Sequence, residues 1–179
     1  MEKKKILKFQ IFSVIFTWIL GTILHFLYEW SGDNKIIASF SAVNESTWEH
    51  LKLVFFPMLI TTIIGFFVIG KDNKKFLCAK AIGIILAMSF IIVFFYTYTG
   101  MIGTNFAILD IGSFFVAVIL GEYAAYKIMI NEEDKQKCNK RIAIIGLTCI
   151  LLGFIIFTYL PPHIGLFKDP ISNGYGIQK

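Results

Sequence analysis

The sequence predicts an all-α integral membrane protein: a bundle of five transmembrane helices with its N-terminus inside and its C-terminus outside. Hydrophobic residues make up 56% of the 179 residues and charged residues only 16%, whereas a soluble domain carries about 25% charged residues. The apolar residues fall in long runs without Asp, Glu, Lys or Arg, and the basic residues cluster between those runs. This composition excludes a soluble globular protein, a disordered chain, a coiled coil and a disulfide scaffold. The clustering of the basic residues between membrane spans argues against a nucleic-acid-binding protein.

Five spans follow from these runs, because a membrane-crossing helix needs about 20 mostly apolar residues. We predict them at residues 6–30, 48–70, 77–99, 105–129 and 141–160. The apolar run 81–109 is too long for one span, and Gly100 and Gly103 divide it. The spans should be helical because open strands cannot satisfy their backbone hydrogen bonds in lipid. The turn-rich residues 161–179 are predicted to cap the outer face, so that residues 1–179 form a single domain.

The first apolar run also follows a basic segment, as in a signal peptide. Its uncharged stretch, residues 9–28, is longer than the roughly 7–15 apolar residues of a signal peptide, and no A-x-A cleavage site follows it. We therefore expect it to be a retained span.

The distribution of basic residues predicts the orientation. With the N-terminus inside, the outer segments hold only four of the 17 basic residues: Lys35, Lys52, Lys168 and Lys179. This bias follows the positive-inside rule. The lysine-rich composition is typical of an AT-rich bacterial genome, so we expect a multi-pass protein of the bacterial cytoplasmic membrane.

The predicted orientation also gives the compartment of each cysteine. Cys78 and Cys138 fall on the inner, reducing side and Cys149 falls within the fifth span. Because the count is odd and the compartment is reducing, we expect no structural disulfide.

All three histidines map to the outer side of this arrangement. His25 lies near the outer end of the first span, His50 opens the second, and His163 directly follows the fifth. Catalytic zinc needs three protein ligands and an open position for water. We therefore predict that these histidines could bind zinc, with Asp110 or Glu49 in the catalytic role of positioning the water.

Acidic residues accompany the histidines and are predicted to line the same cavity. His25 and Glu29 are four residues apart and share a helix face. Glu45 and Glu49 have the same spacing, so we expect them to share a face next to His50.

Asp110 is predicted to face the bundle. It lies about two turns inside the fourth span, and a carboxylate at mid-membrane costs about 2.5–3.5 kcal/mol, less near the surface. Its neighbours are expected to be Tyr96 and Tyr98, at the outer end of the third span. The two tyrosines join the predicted pocket.

A purely structural interpretation explains several of the same residues. Ser46 and Glu49 have capping-box spacing, and Glu49 and Lys52 can pair within one helix turn. Lys80 and Glu122 lie at similar depths in neighbouring spans, and we expect them to form an ion pair.

Three blocks of the sequence form a distinctive pattern: residues 25–32, residues 43–53 with the motif Asn-Glu-Ser-x-Trp-Glu-His and the following Pro57, and the ending at residues 161–176. This pattern resembles a family of short, uncharacterised bacterial multi-pass membrane proteins. It implies a bacterial multi-pass protein and no particular activity. The chain is also loosely similar to the membrane hydrolases of the alkaline ceramidase and adiponectin receptor superfamily. Those have seven spans and a paired late-helix His-x-x-x-His, where this chain has five spans and the single His163.

Three functions remain open from the sequence. The first is a metal-dependent membrane hydrolase working at the outer face. The second is a binding or transport subunit for a small cationic or aromatic solute, comparable in length to the substrate-binding subunits of bacterial vitamin importers, which typically have six spans. The third is a structural or accessory protein of the lipid bilayer. The residues do not decide whether the protein is an enzyme, or whether its ligand is a small molecule or a lipid.

Overall fold

The computed structural model describes residues 3–131 and 138–177, and it contains the predicted bundle. Five of its helices are long and apolar enough to cross a membrane. The helices are α1 (Lys3–Trp30), α2 (Lys35–Ala38), α3 (Thr47–Gly65, continued by a π-helical turn at Phe66–Gly70), α4 (Phe76–Ile102), α5 (Ala107–Ile130) and α6 (Lys140–Tyr159). The short α2 was not predicted, and the five spans begin and end within about three residues of the predicted bounds. Lys135, Lys137 and Lys179, which entered the charge count, lie outside the described residues.

Local sequence explains where the helices begin and end. The hydroxyl of Ser46 accepts a hydrogen bond from the Glu49 backbone N–H (3.4 Å) and caps the start of α3. Asn139 caps α6 in the same way, accepting from the N–H of Arg141 (3.1 Å). The third span continues past the predicted end, because Gly103, with a φ of +87°, provides the left-handed residue that ends α4.

The bundle has two chemically different ends. We call the end formed by residues 31–46, 103–106 and 160–177 the histidine end. We call the end formed by residues 3–8, 71–75 and 138–141 the lysine-rich end.

A glycine contact brings α4 and α5 together near an ion pair in the bundle interior. A Cβ on Gly83 would lie 2.5 Å from the carbonyl oxygen of Gly121, and the reverse distance is the same, so only glycine permits this approach. Lys80 Nζ lies 2.6 Å from each carboxylate oxygen of Glu122. Ser13 of α1 donates a hydrogen bond to the same carboxylate (2.6 Å). The predicted Lys80–Glu122 ion pair is therefore confirmed.

The expectation of no structural disulfide is wrong. Cys78, in the first turn of α4, is bonded to Cys138, just before α6, with their Cα atoms 5.8 Å apart. The number of cysteines and their compartment do not determine which cysteines meet, because a disulfide also depends on proximity in space. Cys149 is a free, exposed cysteine on α6.

The described part of the C-terminal tail folds over the histidine end, as predicted. Lys168 and Tyr175 form an isolated antiparallel bridge. Phe167 packs on Trp48 of α3, with ring centroids 4.7 Å apart. The side-chain amide of Asn44 donates to the carbonyl of Gly176 (2.8 Å). The tail therefore holds the segment that precedes α3.

Candidate metal centre

The close crossing of α1 and α3 places two histidines side by side. A Cβ on Gly21 would lie 2.6 Å from the carbonyl oxygen of Leu53, so the two backbones almost touch at this point. The helices are antiparallel, and roughly one turn further toward the histidine end α1 presents His25 and α3 presents His50. Their ring centroids are 5.2 Å apart.

Glu45 completes a three-residue group with these histidines. Its carboxylate lies 3.3 Å from His50 Nε2 and 3.9 Å from His25 Nε2. The three residues offer ligand atoms that all lie within 4.8 Å of one another. A tetrahedral zinc site with ligand distances of about 2.1 Å separates its ligand atoms by about 3.4 Å. The separations of the Glu45 carboxylate from His50 and His25 are close to that value, each to a different oxygen. Side-chain movements that draw the two histidines together would let these residues hold a metal ion.

The backbone orients the His50 ring. His50 Nδ1 lies 3.0 Å from the carbonyl oxygen of Ser46, one helical turn earlier. When Nδ1–H donates to that carbonyl, Nε2 faces Glu45: the protonated ring donates a hydrogen bond to the carboxylate, and the neutral ring has a free Nε2 lone pair for a metal. A hydrogen bond from the non-coordinating ring nitrogen is the usual way in which proteins orient a metal-binding histidine. His25 Nδ1, in contrast, is buried without a hydrogen-bond partner among the described residues.

The electrostatics of the group favour an ionised carboxylate. The hydrogen bond from His50 lowers the pKa of Glu45 below its ordinary value, and this effect outweighs the opposing effect of partial burial. The side chains of Glu45, His25 and His50 are 43%, 28% and 33% exposed, so part of each is accessible at the surface of the bundle.

Glu49 does not join this group, and the expectation that it shares a face with Glu45 is wrong. Glu45 precedes the first residue of α3, so helical periodicity does not apply to it. Glu49 is 2% exposed and binds Lys52 Nζ (2.6 Å), whose side chain is fully buried.

The Glu49–Lys52 pair instead holds the segment before α3 in place. Lys52 Nζ donates to the carbonyls of Ala38 (2.9 Å) and Ser41 (3.2 Å). The N–H of Val43 donates to Glu49 Oε2 (3.1 Å). These bonds fix the chain two residues before Glu45. The sequence had placed Lys52 among the outer charges, and only its spacing from Glu49 indicated a partner.

Asp110 forms a second polar group near the first. It accepts a short hydrogen bond from the hydroxyl of Tyr98, and Asn105 Nδ2 donates to its other oxygen (3.0 Å). The hydroxyl of Tyr98 also accepts from the N–H of Phe106 (3.2 Å) and so closes the α4–α5 turn. Asp110 lies close enough to His50 for their charges to attract. The predicted proximity of Asp110 and Tyr98 is confirmed.

The other predicted site residues are not members of the three-residue group. His163 stacks on Tyr175 of the tail, with ring centroids 4.6 Å apart. Glu29 is exposed on α1, and Tyr96 is 41% exposed on α4. The structure thus brings His25, Glu45 and His50 together, with Asp110 and Tyr98 nearby.

Sequence reasoning missed one further polar contributor. Thr158, fully buried near the end of α6, donates to Glu49 Oε1 (3.3 Å) and so links α6 to the start of α3. A lone threonine in an apolar run gives no signal in the sequence, because such residues usually bond to their own helix, as Thr158 also does with Phe154 (2.8 Å).

Comparison with known proteins identifies a family and no characterised relative. A model of a family of unknown function, DUF6512, matches residues 1–177. Neither the curated proteins nor the solved structures contain a match to the chain.

Proposed function

We propose that this chain, which belongs to the family of unknown function DUF6512, is a membrane metalloprotein that binds zinc through His25, Glu45 and His50 and uses it for hydrolysis. The observation that carries the proposal is the convergence of these three side chains from α1, α3 and the segment between them. Two histidines and one glutamate are a ligand set of catalytic zinc sites, in which water takes the fourth position.

The chemistry follows from the ligand set. Zinc held by these three residues would lower the pKa of a bound water to about 7 and could polarise a carbonyl or phosphoryl oxygen of a substrate. Asp110, near His50, adds negative charge that favours a cation at this end of the bundle. The ionised Glu45 supplies the charged ligand.

The main competing function, binding of a cationic solute, has less support. It needs carboxylates available to the solute, and two that the sequence predicted near the histidines, Glu49 and Asp110, already have partners. Glu49 is paired with buried Lys52, and Asp110 with Tyr98 and Asn105. The contact of Glu45 with two histidines fits a metal better than an organic cation.

Zinc titration of the purified protein tests the proposal. We expect one zinc ion per chain, and at least about tenfold weaker binding for each of His25→Gln, Glu45→Gln and His50→Gln, since each removes a ligand. His163→Gln is the matched control, and we expect it to bind zinc like the wild type. Absence of zinc binding, or an equal loss in His163→Gln, would contradict the proposed ligand set.

Hydrolysis needs its own measurement. The zinc-loaded protein should cleave a chromogenic p-nitrophenyl ester in detergent, and Glu45→Gln and a chelator should abolish the activity. Zinc binding without hydrolysis would leave a metal-binding protein and contradict the enzymatic part of the proposal.

We further propose that the histidine end faces the outside of a bacterial cytoplasmic membrane, with the N-terminus inside. The excess of basic residues at the other end supports this orientation. The Cys78–Cys138 disulfide at the lysine-rich end points the other way, because disulfides are rare in reducing compartments. Basic residues direct insertion itself, and the proposed orientation follows them. An Asn173→Cys variant without the native cysteines should react with a membrane-impermeant maleimide in intact cells. Labelling only after lysis would show that the protein has the opposite orientation.

A further inference from the structure

An apolar groove separates α6 from α3 and α4 in the half of the bundle nearer the lysine-rich end. Its volume is about 350 Å³. Leu59 and Phe67 of the α3 span form one wall, Leu77 of α4 lies at one end, and Ile144 and Leu151 of α6 form the other wall. All of these residues belong to membrane-spanning helices.

The groove is lined mainly by apolar side chains, and its polar side chains are those of Thr62 and Thr148. The hydroxyl of Thr62, which also lines it, donates to the carbonyl of Met58 in its own helix (2.7 Å) and is therefore satisfied. An open groove at this depth faces hydrocarbon, because the spans that form it are surrounded by lipid tails.

Basic side chains lie at the mouth of the groove. Lys71 Nζ lies 5.3 Å from the centre of the Phe67 ring, which forms part of the groove wall. Lys140 and Arg141, both exposed, line a surface recess together with Cys138. The disulfide joins Cys138 to Cys78, the residue after Leu77. Lys140 lies one helical turn before Ile144 on α6, so the recess lies next to the lysine-rich end of the groove.

We propose that this groove binds an anionic phospholipid, with one acyl chain between α3 and α6 and the headgroup phosphate against Lys71, Lys140 and Arg141. Apolar walls that end at three cations match the two parts of such a lipid. Basic pockets between transmembrane helices bind anionic headgroups in this way. The proposal is independent of the metal centre, which lies at the opposite end of the bundle.

Competitive lipid retention tests the headgroup. Detergent-solubilised protein is mixed with equal amounts of phosphatidylglycerol and phosphatidylcholine, and the lipid that stays bound is measured by native mass spectrometry. We expect the wild type to retain mainly phosphatidylglycerol. One cation near an anionic lipid is worth about fivefold in binding, so Lys71→Gln/Lys140→Gln/Arg141→Gln should reduce phosphatidylglycerol retention at least about tenfold.

The matched control removes three cations from the same end of the bundle but on another helix. Lys4→Gln/Lys5→Gln/Lys8→Gln, at exposed positions of α1, should retain phosphatidylglycerol like the wild type. Equal losses in the two triple variants, or equal retention of the two lipids by the wild type, would overturn the proposal. The substituted positions of the first variant are exposed, so its fold should be unaffected.

A second pair of variants tests the acyl chain. Thr148 lines the groove and is exposed, so Thr148→Trp should fill it and reduce phosphatidylglycerol retention severalfold. Ile145, 61% exposed on the same helix and not part of the lining, provides the control Ile145→Trp. Unchanged retention in Thr148→Trp would show that no chain occupies the groove and would overturn the proposal.

Discussion

Removing one partner of the Lys80–Glu122 ion pair should strand a charge inside the bundle. The two side chains are 0% and 1% exposed, and Lys80 Nζ lies 2.6 Å from both Glu122 oxygens. Loss of one member of a buried ion pair typically costs about 3–5 kcal/mol, because the remaining charge has no partner. We therefore expect Lys80→Met and Glu122→Gln each to lower the free energy of unfolding by about 3–5 kcal/mol.

The double variant distinguishes the cost of an unpaired buried charge from the cost of lost packing. Lys80→Met/Glu122→Gln removes both charges and keeps an amide oxygen that can accept the hydrogen bond from Ser13. Replacement of a whole buried pair by neutral residues is often close to neutral. The double variant should therefore lose only about 1–2 kcal/mol, mainly from hydrogen bonds, which is less than either single variant loses.

Thermal unfolding in one detergent, followed by circular dichroism, measures these differences. For a chain of this length about 2–4 °C corresponds to 1 kcal/mol, so each single variant should unfold about 6–20 °C below the wild type. Lys127→Met, at an exposed position of α5, is the control and should stay within about 0.5 kcal/mol. Losses in the double variant that equal the sum of the two single losses would refute the argument from stranded charge.

Three further predictions concern the site and the disulfide. Gly21→Ala would bring a Cβ within 2.6 Å of Leu53 O, separate α1 from α3 and weaken zinc binding about tenfold or more. Gly112→Ala is the control, because its added Cβ meets nothing within 4 Å. Equal zinc affinities of the two variants would contradict the role of the α1–α3 crossing. Because the hydrogen bond from His50 lowers the pKa of Glu45, the stabilisation from this contact is fully present above the unfolded pKa of about 4.3. It is lost as the pH falls through the lower pKa of the folded state. Carboxyl NMR of the metal-free protein should show a higher Glu45 pKa in His50→Ala than in the wild type. Cys78→Ser removes a bond between residues separated by 60 positions. Loss of a disulfide that closes a loop of this length should lower the stability of a free chain by about 4 kcal/mol, and by less where the unfolded helices stay in the membrane. Reductant should therefore lower the unfolding temperature of the wild type and leave that of the variant unchanged.

The spans could be predicted from the sequence because the length of an apolar run is a property of the chain alone. The same holds for the Lys80–Glu122 pair, since depth along two neighbouring helices can be counted in residues. That His25 and His50 share one end follows equally from the alternation of the spans. These features need no knowledge of how the helices rotate about their axes.

Only the tertiary structure decided which carboxylate meets the histidines. Glu45 and Glu49 are equivalent by spacing, but Glu45 lies outside α3 and Glu49 lies within it, and a helical period holds only inside a helix. Burial of Lys52 then draws Glu49 away from the histidines.

The Cys78–Cys138 bond and the position of His163 were decided in the same way. Both depend on how α6 and the tail pack against the other helices. Apolar surfaces in lipid specify such packing through shape and small residues, and these contacts join residues far apart in the sequence, so no local pattern records them.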